Sequence, residues 1–151
     1  SDVYKRQILG LGCFWGPERK FGEIEGVIKT EVGYCGGKNK ETSYQEVCTG
    51  VTGHAEVVKI EFDESIISYE GIINLFFDFH DPTTLNRQGP DIGNQYRSEI
   101  FYANKSQEKI AEKVLEKRNE YFKGKIVTKI SKVINYCKAE EYHQKYLMKN
   151  L

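Results

Sequence analysis

The chain of 151 residues carries no net charge: 22 Lys+Arg stand against 22 Asp+Glu. Its basic residues are spread along the sequence and form no stripe, so a nucleic-acid or anionic-membrane binder is not expected. No apolar run approaches ~18 residues, so no membrane-spanning helix is expected. No apolar core followed by a small-residue cleavage site marks the N-terminus, so no signal peptide is read there. Cysteine is sparse: Cys13, Cys35, Cys48 and Cys137 are too few for a disulfide scaffold. None of the four belongs to a C-x-x-C pair, which argues against a zinc knuckle or a thioredoxin-type dithiol. A reducing cytoplasmic setting with free thiols is expected. Tryptophan occurs once, against 10 Tyr and 8 Phe.

What is present reads as one globular domain covering residues 1–151. A hydrophobic fraction of 39% beside a charged fraction of 29% suits a folded chain. Ser1 to Gln7 are polar, and the first few read as additions to the domain. Ile8 to Gly12 reads as a short buried strand and Cys13 to Ile24 as a helix closed by Gly26. Val27 to Tyr34 and His54 to Phe62 alternate as strands. Between them, Cys35 to Lys40 reads as a loop and Ser43 to Gly53 as irregular. Ser68 caps an almost wholly apolar helix, Tyr69 to Phe79. His80 to Arg97 is a long loop, and loops of that length are commonly functional. Then come a strand at Glu99 to Tyr102 and a helix opened by Asn104 and Gln107 as in a capping box. A strand at Ile126 to Ile134 and a final helix at Ala139 to Leu147 complete the chain. The order β-α-β-β-α-β-α-β-α predicts an α/β (α+β) two-layer sandwich, a mixed sheet packed against helices on a ferredoxin-like core.

Cys13 is the first candidate for chemistry. It stands where a strand meets a helix, and a helix N-terminus stabilises a thiolate. The plain alternative is a buried structural cysteine. Phe14 and Trp15, crowded among glycines, read as a pocket wall or as core. Glu56 alternates onto the apolar face of Val58, Ile60 and Phe62. A carboxyl there should have a raised pKa and could act as a general acid; otherwise it is a strand-end charge paired with Arg or Lys. His54 has no second ligand at metal spacing, so it reads as structural and no metal is expected. Tyr44 and Tyr96 are either surface residues or hydroxyl donors to a polar substrate atom. Asp91, Asn94 and Gln95 share the long loop. Tyr142 and His143 read as ordinary amphipathic positions. Gly10-x-Gly12-x-x-x-Gly16 misses the dinucleotide-binding spacing by one residue.

These residues together resemble the peptide methionine sulfoxide reductase A family. The likeness runs through Gly12-Cys13-Phe14-Trp15-Gly16, Gly33-Tyr34-x-Gly36-Gly37, Tyr44, Thr52-Gly53-His54-Ala55-Glu56 and His80-Asp81-Pro82-Thr83. It continues through Gln88-Gly89-x-Asp91-x-Gly93-x-Gln95-Tyr96-Arg97-Ser98 and Ala139-Glu140-x-Tyr142-His143-Gln144-x-Tyr146-Leu147. The resemblance implies a two-layer α/β fold and a cofactor-free reductase of methionine S-sulfoxide, free or in proteins. It implies Cys13 as the nucleophile that becomes a sulfenic acid, and Glu56 as the acid that protonates the departing oxygen. Tyr44 and Tyr96 would hydrogen-bond that oxygen, Phe14 and Trp15 would hold the S-methyl group, and Asp91 would support the site through water. The reductant would be thioredoxin or glutaredoxin. Many members resolve the sulfenic acid with cysteines in a Gly-rich C-terminal tail, which is not seen here. Others carry selenocysteine at the nucleophile and lack a resolving cysteine. Of the cysteines at hand, Cys35 sits in a loop able to bend toward Cys13, whereas Cys48 and Cys137 adjoin regular structure. Direct reduction by an external thiol is the favoured expectation. The rival readings are a thiol peroxidase and a non-catalytic module that binds methionine or its sulfoxide through the aromatic pair.

Overall fold

A computed structural model describes residues 4–150. The reading of the first few residues as additions therefore falls outside the described residues at Ser1 to Val3, as does Leu151. The elements are β1 (Tyr4–Leu11), α1 (Trp15–Gly22), β2 (Val27–Cys35), α2 (Tyr44–Cys48), β3 (Ala55–Asp63) and α3 (Tyr69–Asp78). They continue with β4 (Arg87–Gln88), β5 (Asp91–Ile92), β6 (Ser98–Tyr102), α4 (Lys105–Tyr121), β7 (Lys129–Lys132), β8 (Cys137–Lys138) and α5 (Tyr146–Lys149). Six strands form one sheet in the order β7-β6-β1-β3-β2-β8. Only β6 and β7 run parallel, so the sheet is mixed. The fold is therefore a mixed α/β arrangement of sheet and helices.

Strand alternation sorts the core. Leu9, Leu11, Val58, Ile60, Phe62 and Ile100 face α1, α3 and α4 through Phe21, Ile72, Ile73, Phe76, Ala111 and Val114. The apolar surface of α3 accounts for its place in this core, and Ser68 caps the helix by accepting from Gly71 N–H at 3.0 Å, a contact worth ~1 kcal/mol. Ile8, Cys35, Ala55, Val57 and Phe101 point to the other face, where Val133 and Tyr136 cover them.

Several expectations are corrected. The first helix is shorter than Cys13 to Ile24, because Phe14 is its N-cap and Gly22 its last residue. Ser43 to Gly53 is not wholly irregular: Ser43 accepts from Glu46 N–H and opens α2. The Ser43-x-x-Glu46 pattern is a helix-start signal of the capping-box type. Of Ile126 to Ile134, only Lys129–Lys132 pairs with a neighbour, β6. The last helix does not start at Ala139. Ala139 N–H donates to Val32 O, and the Gln144 side chain accepts from Val32 N–H and donates to Val32 O. This segment is held against β2 as a surrogate strand and runs into a single 3-10 turn, Glu141–His143, so α-helix is confined to Tyr146–Lys149.

His54 behaves as the structural residue expected of it. It is fully buried and bonds Asn39 O through Nε2 at 2.9 Å. Gly37 must be glycine beneath it, since a Cβ there would lie 2.0 Å from the ring.

Candidate active site

The site starts at the turn between β1 and α1. Gly12 has φ +95°, and a Cβ there would come within 2.8 Å of the Gln88 side chain, so glycine is required on both counts. The turn carries Cys13 into the space in front of β3. Glu56 comes up from β3 beside it, one residue after the strand begins, and pairs in register with Tyr34. The Phe14 N–H donates to Glu56 Oε1 at 3.2 Å. Nucleophile candidate and acid candidate are thus fastened together by the backbone next to Cys13.

Glu56 is 1% exposed. Burial pushes its carboxyl up to about 8; the Phe14 hydrogen bond opposes this and the nearby Asp91 charge adds to it. The expectation of a raised pKa therefore agrees with the geometry. A large part of this group stays protonated near neutral pH.

Cys13 contradicts its expectation. Burial pushes its thiol up to about 11, against the Trp15 N–H that favours the thiolate, and the Glu56 and Asp91 charges raise it further. The helix cannot offset this. Cys13 lies before the N-cap of an eight-residue helix, and two carboxyl groups share its surroundings. These surroundings favour the thiol of Cys13 over the thiolate at neutral pH.

Tyr44 opens α2, and Tyr96 ends a single 3-10 turn, Asn94–Tyr96, in the long loop. Burial raises the pKa of both hydroxyls, that of Tyr96 to about 12, and Glu56 adds to each shift. Tyr96 also feels Asp91 and Cys13, while Tyr44 feels Tyr96. The two phenols therefore stay protonated near Glu56, Tyr44 also under the influence of Cys48 and Tyr96 under that of Cys13. The loop is tied down by Asn94 Nδ2, which donates to Gly50 O at 3.1 Å, and by Arg97 Nη1, which donates to Asn94 O at 2.9 Å. Arg97 also pairs with Glu99 at 2.7 Å.

Phe14 is 1% exposed and packs with Val32, Tyr34, Val47 and Ala139. Trp15 is half-buried and stacks on Tyr146, ring centroids 3.8 Å apart and planes 9° from parallel. Between them stands His143, 2% exposed. Its ring centroid lies 5.2 Å from Phe14, 5.7 Å from Trp15 and 4.7 Å from Tyr44. Trp15 Nε1–H donates to its Nδ1 at 3.1 Å. Reading His143 as an ordinary amphipathic position is therefore overturned. No spacing could reveal it, because its partner lies 128 residues away in the chain. Glu140, also unassigned from sequence, joins this group. It accepts from the Tyr34 hydroxyl at 2.7 Å and from Tyr44 N–H at 2.9 Å, fixing the start of α2.

The other cysteines are now placed. Cys35 ends β2 and is fully buried on the sheet face away from Glu56, with Sγ donating to Ile134 O at 3.3 Å. It is not in a loop that bends toward Cys13, because β-pairing with Ala55 holds it. Cys137 lies on β8 opposite Tyr34. Cys48 ends α2 and is exposed. Among the described residues, no group of three or more His, Cys, Asp or Glu is arranged to hold a metal ion. None of their helices is long and apolar enough to cross a membrane.

Known proteins are similar to this chain in sequence and in fold. A peptide methionine sulfoxide reductase MsrA of Pelagibacter ubique is 66% identical over 142 residues, 94% of this chain and 97% of that protein. The crystal structure of Mxr1 from Saccharomyces cerevisiae in reduced form superposes with a TM-score of 0.94 at 37% identity, covering 99% of this chain and 87% of that one. Methionine sulfoxide reductase A of Corynebacterium diphtheriae gives a TM-score of 0.94 at 34% identity, over 99% of this chain and 76% of that one. The family model for peptide methionine sulfoxide reductase matches residues 5–151, and on that match together with these relatives the chain belongs to the peptide methionine sulfoxide reductase family.

Proposed function

We propose that this chain carries out its family's reduction of methionine sulfoxide with Cys13 as nucleophile and Glu56 as acid, on the S epimer, free or within proteins. The observation that carries this reading is the Phe14 N–H to Glu56 bond, which sets a protonated carboxyl beside the thiol. A sulfoxide oxygen is a poor leaving group until it is protonated, and Glu56 supplies that proton. The Cys13 sulfur attacks the sulfoxide sulfur and then takes up the oxygen as a sulfenic acid. Methionine sulfur gains two electrons and Cys13 sulfur loses two. The thiol proton of Cys13 restores Glu56, so one thiol and one sulfoxide give one sulfenic acid and one thioether.

Tyr44 and Tyr96 donate to the sulfoxide oxygen, which their raised pKa values favour. Trp15 presents the wall for the S-methyl group, with the buried Phe14 behind it. Asp91 acts on the site through its charge on Cys13 and Glu56. No prosthetic group is needed, since thiols supply both electrons. An external thiol protein, thioredoxin or glutaredoxin, reduces the sulfenic acid, and the reducing cytoplasm suits that chemistry. The whole chain, 1–151, acts as one domain. Its strands β6-β1-β3-β2, joined through α1 and α3, support the reading as a two-layer sandwich on a ferredoxin-like core.

Turnover of the two epimers of dabsylated methionine sulfoxide with dithiothreitol tests the reading. Product from the S epimer alone is expected. Product from the R epimer alone, or peroxide consumption without sulfoxide reduction, would overturn it.

A further inference from the structure

The His143 geometry points to a positioning residue for the methyl-binding wall, a function that rests on the reading of Trp15 as that wall. The indole N–H can only donate, so Nδ1 of His143 must carry a lone pair. The neutral ring then has its proton on Nε2. That atom is buried and has no hydrogen-bond partner among the described residues. A buried donor left unpaired is unfavourable, so the ring is kept here for what its other edge does. That edge fixes the rotation of Trp15, whose opposite side is clamped by the Tyr146 stack.

We propose that neutral His143 holds Trp15, and with it Phe14 and Tyr44, in the arrangement that receives the methyl sulfoxide, and that protonation of His143 releases Trp15. A proton on Nδ1 would set one N–H against another at 3.1 Å, so the bond to Trp15 cannot survive it. The groups that face this ring are few. From its own segment come Glu140, whose charge favours protonation, and Tyr142, with ring centroids 4.2 Å apart. From α2 comes Tyr44, and from the α1 turn come Phe14 and Trp15, with the Cys13 thiol next in sequence. Burial holds His143 below the ordinary histidine range despite Glu140. The cage is therefore closed at neutral pH and opens on acidification.

Acidification leaves Glu56 protonated, so this device should act on binding and spare the proton-transfer step. That separates it from failure of the catalytic reading. The chain has one tryptophan, so its emission reports Trp15 alone. The test is the pH dependence of that emission in the intact protein. Alongside it go ¹⁵N shifts of the three histidines and KM and kcat for a methyl sulfoxide. Wild type is expected to show an acid limb in emission below pH ~6.5, a His143 ring with Nδ1 unprotonated at neutral pH, and a KM that rises on acidification while kcat holds. His143→Gln offers an acceptor that does not titrate. It should lose the acid limb in both emission and KM, and its neutral-pH KM should stay closer to wild type than that of His143→Phe. His143→Phe keeps ring volume but no acceptor; a KM increase of roughly tenfold is expected. An acid limb unchanged in His143→Gln, or a neutral His143 with its proton on Nδ1, would overturn the proposal. The emission and ¹⁵N readouts are independent of turnover, so they hold even if Cys13 or Glu56 has another role.

Discussion

The backbone N–H of Phe14 and the carboxylate oxygen Oε1 of Glu56 meet at 3.2 Å across 42 residues of sequence. This one contact joins the end of β1 to the start of β3 and orients the carboxyl beside Cys13. It also moderates the effect of burial on Glu56, since a donated N–H stabilises the anion. Glu56 is therefore held by the main chain next to Cys13, and not by a charged partner among the described residues.

Glu56→Gln should lower the first-turnover rate by ~10²–10⁴ with modest change in substrate binding. The amide keeps an acceptor for Phe14 N–H but has no proton to release. In the wild type the same step should fade as pH rises through about 8. A rate unchanged by the substitution across pH would mean that Glu56 serves structure only.

The same carboxyl makes a stability prediction. Its folded pKa of about 8 lies above the ordinary carboxyl value of 4.5, so the folded state holds the proton more tightly than the unfolded state. Its contribution is fully present below the unfolded value and is lost as pH rises to the folded one. Thermal unfolding of Glu56→Gln relative to wild type should therefore favour the variant increasingly between pH 5 and pH 8, and level off above. A difference that is flat over this window contradicts the raised pKa.

Cys13 should be a slow target for iodoacetamide at neutral pH, because a thiol of pKa about 11 is almost wholly protonated. Exposed Cys48 should label first, with Cys13 accelerating about tenfold per pH unit on the alkaline side. Cys13→Ser should abolish reduction, since a hydroxyl lacks the nucleophilicity of sulfur. Preferential neutral-pH labelling of Cys13, read by peptide mass spectrometry, would show a thiolate instead.

Trp15→Ala should raise KM and erode the preference for methyl over ethyl sulfoxides, at ~1–3 kcal/mol per methylene-sized change. Its stack on Tyr146 makes it a rigid wall, so the loss cannot be refilled by a neighbour. Competition kinetics between the two sulfoxides give the ratio directly; an intact ratio places the methyl pocket elsewhere.

One equivalent of sulfoxide without reductant should leave a sulfenic acid on Cys13 that dimedone traps, and free thiols should fall by one. Cys35 cannot intervene, because it points to the far face of the sheet and is held there by β-pairing. A fall of two thiols with a disulfide peptide joining Cys13 to Cys48 or Cys137 would replace the external thiol by an internal one.

Local chemistry wrote much of this protein in its sequence. Alternation alone put Glu56 on the face of Val58, Ile60 and Phe62, and Ser68 and Asn104 announced their helices through side chains that cap within three residues. The run from Gly12 to Gly16 likewise marked the candidate nucleophile Cys13 and its aromatic neighbours. Those features depend on contacts between residues close in the chain, or on a period that any strand imposes. Tertiary structure decided what depends on burial and on distant partners. Cys13 has the neighbourhood of a helix start, yet the solvent it loses and the carboxyls of Glu56 and Asp91 make it a thiol. Cys35 follows a strand pattern into glycines, yet β3 holds it in the sheet. His143 gained its place only when Gln144 anchored the last segment to Val32 and brought the ring beneath Trp15. Desolvation and long-range hydrogen bonds have no period and no fixed spacing, so the sequence could not display them.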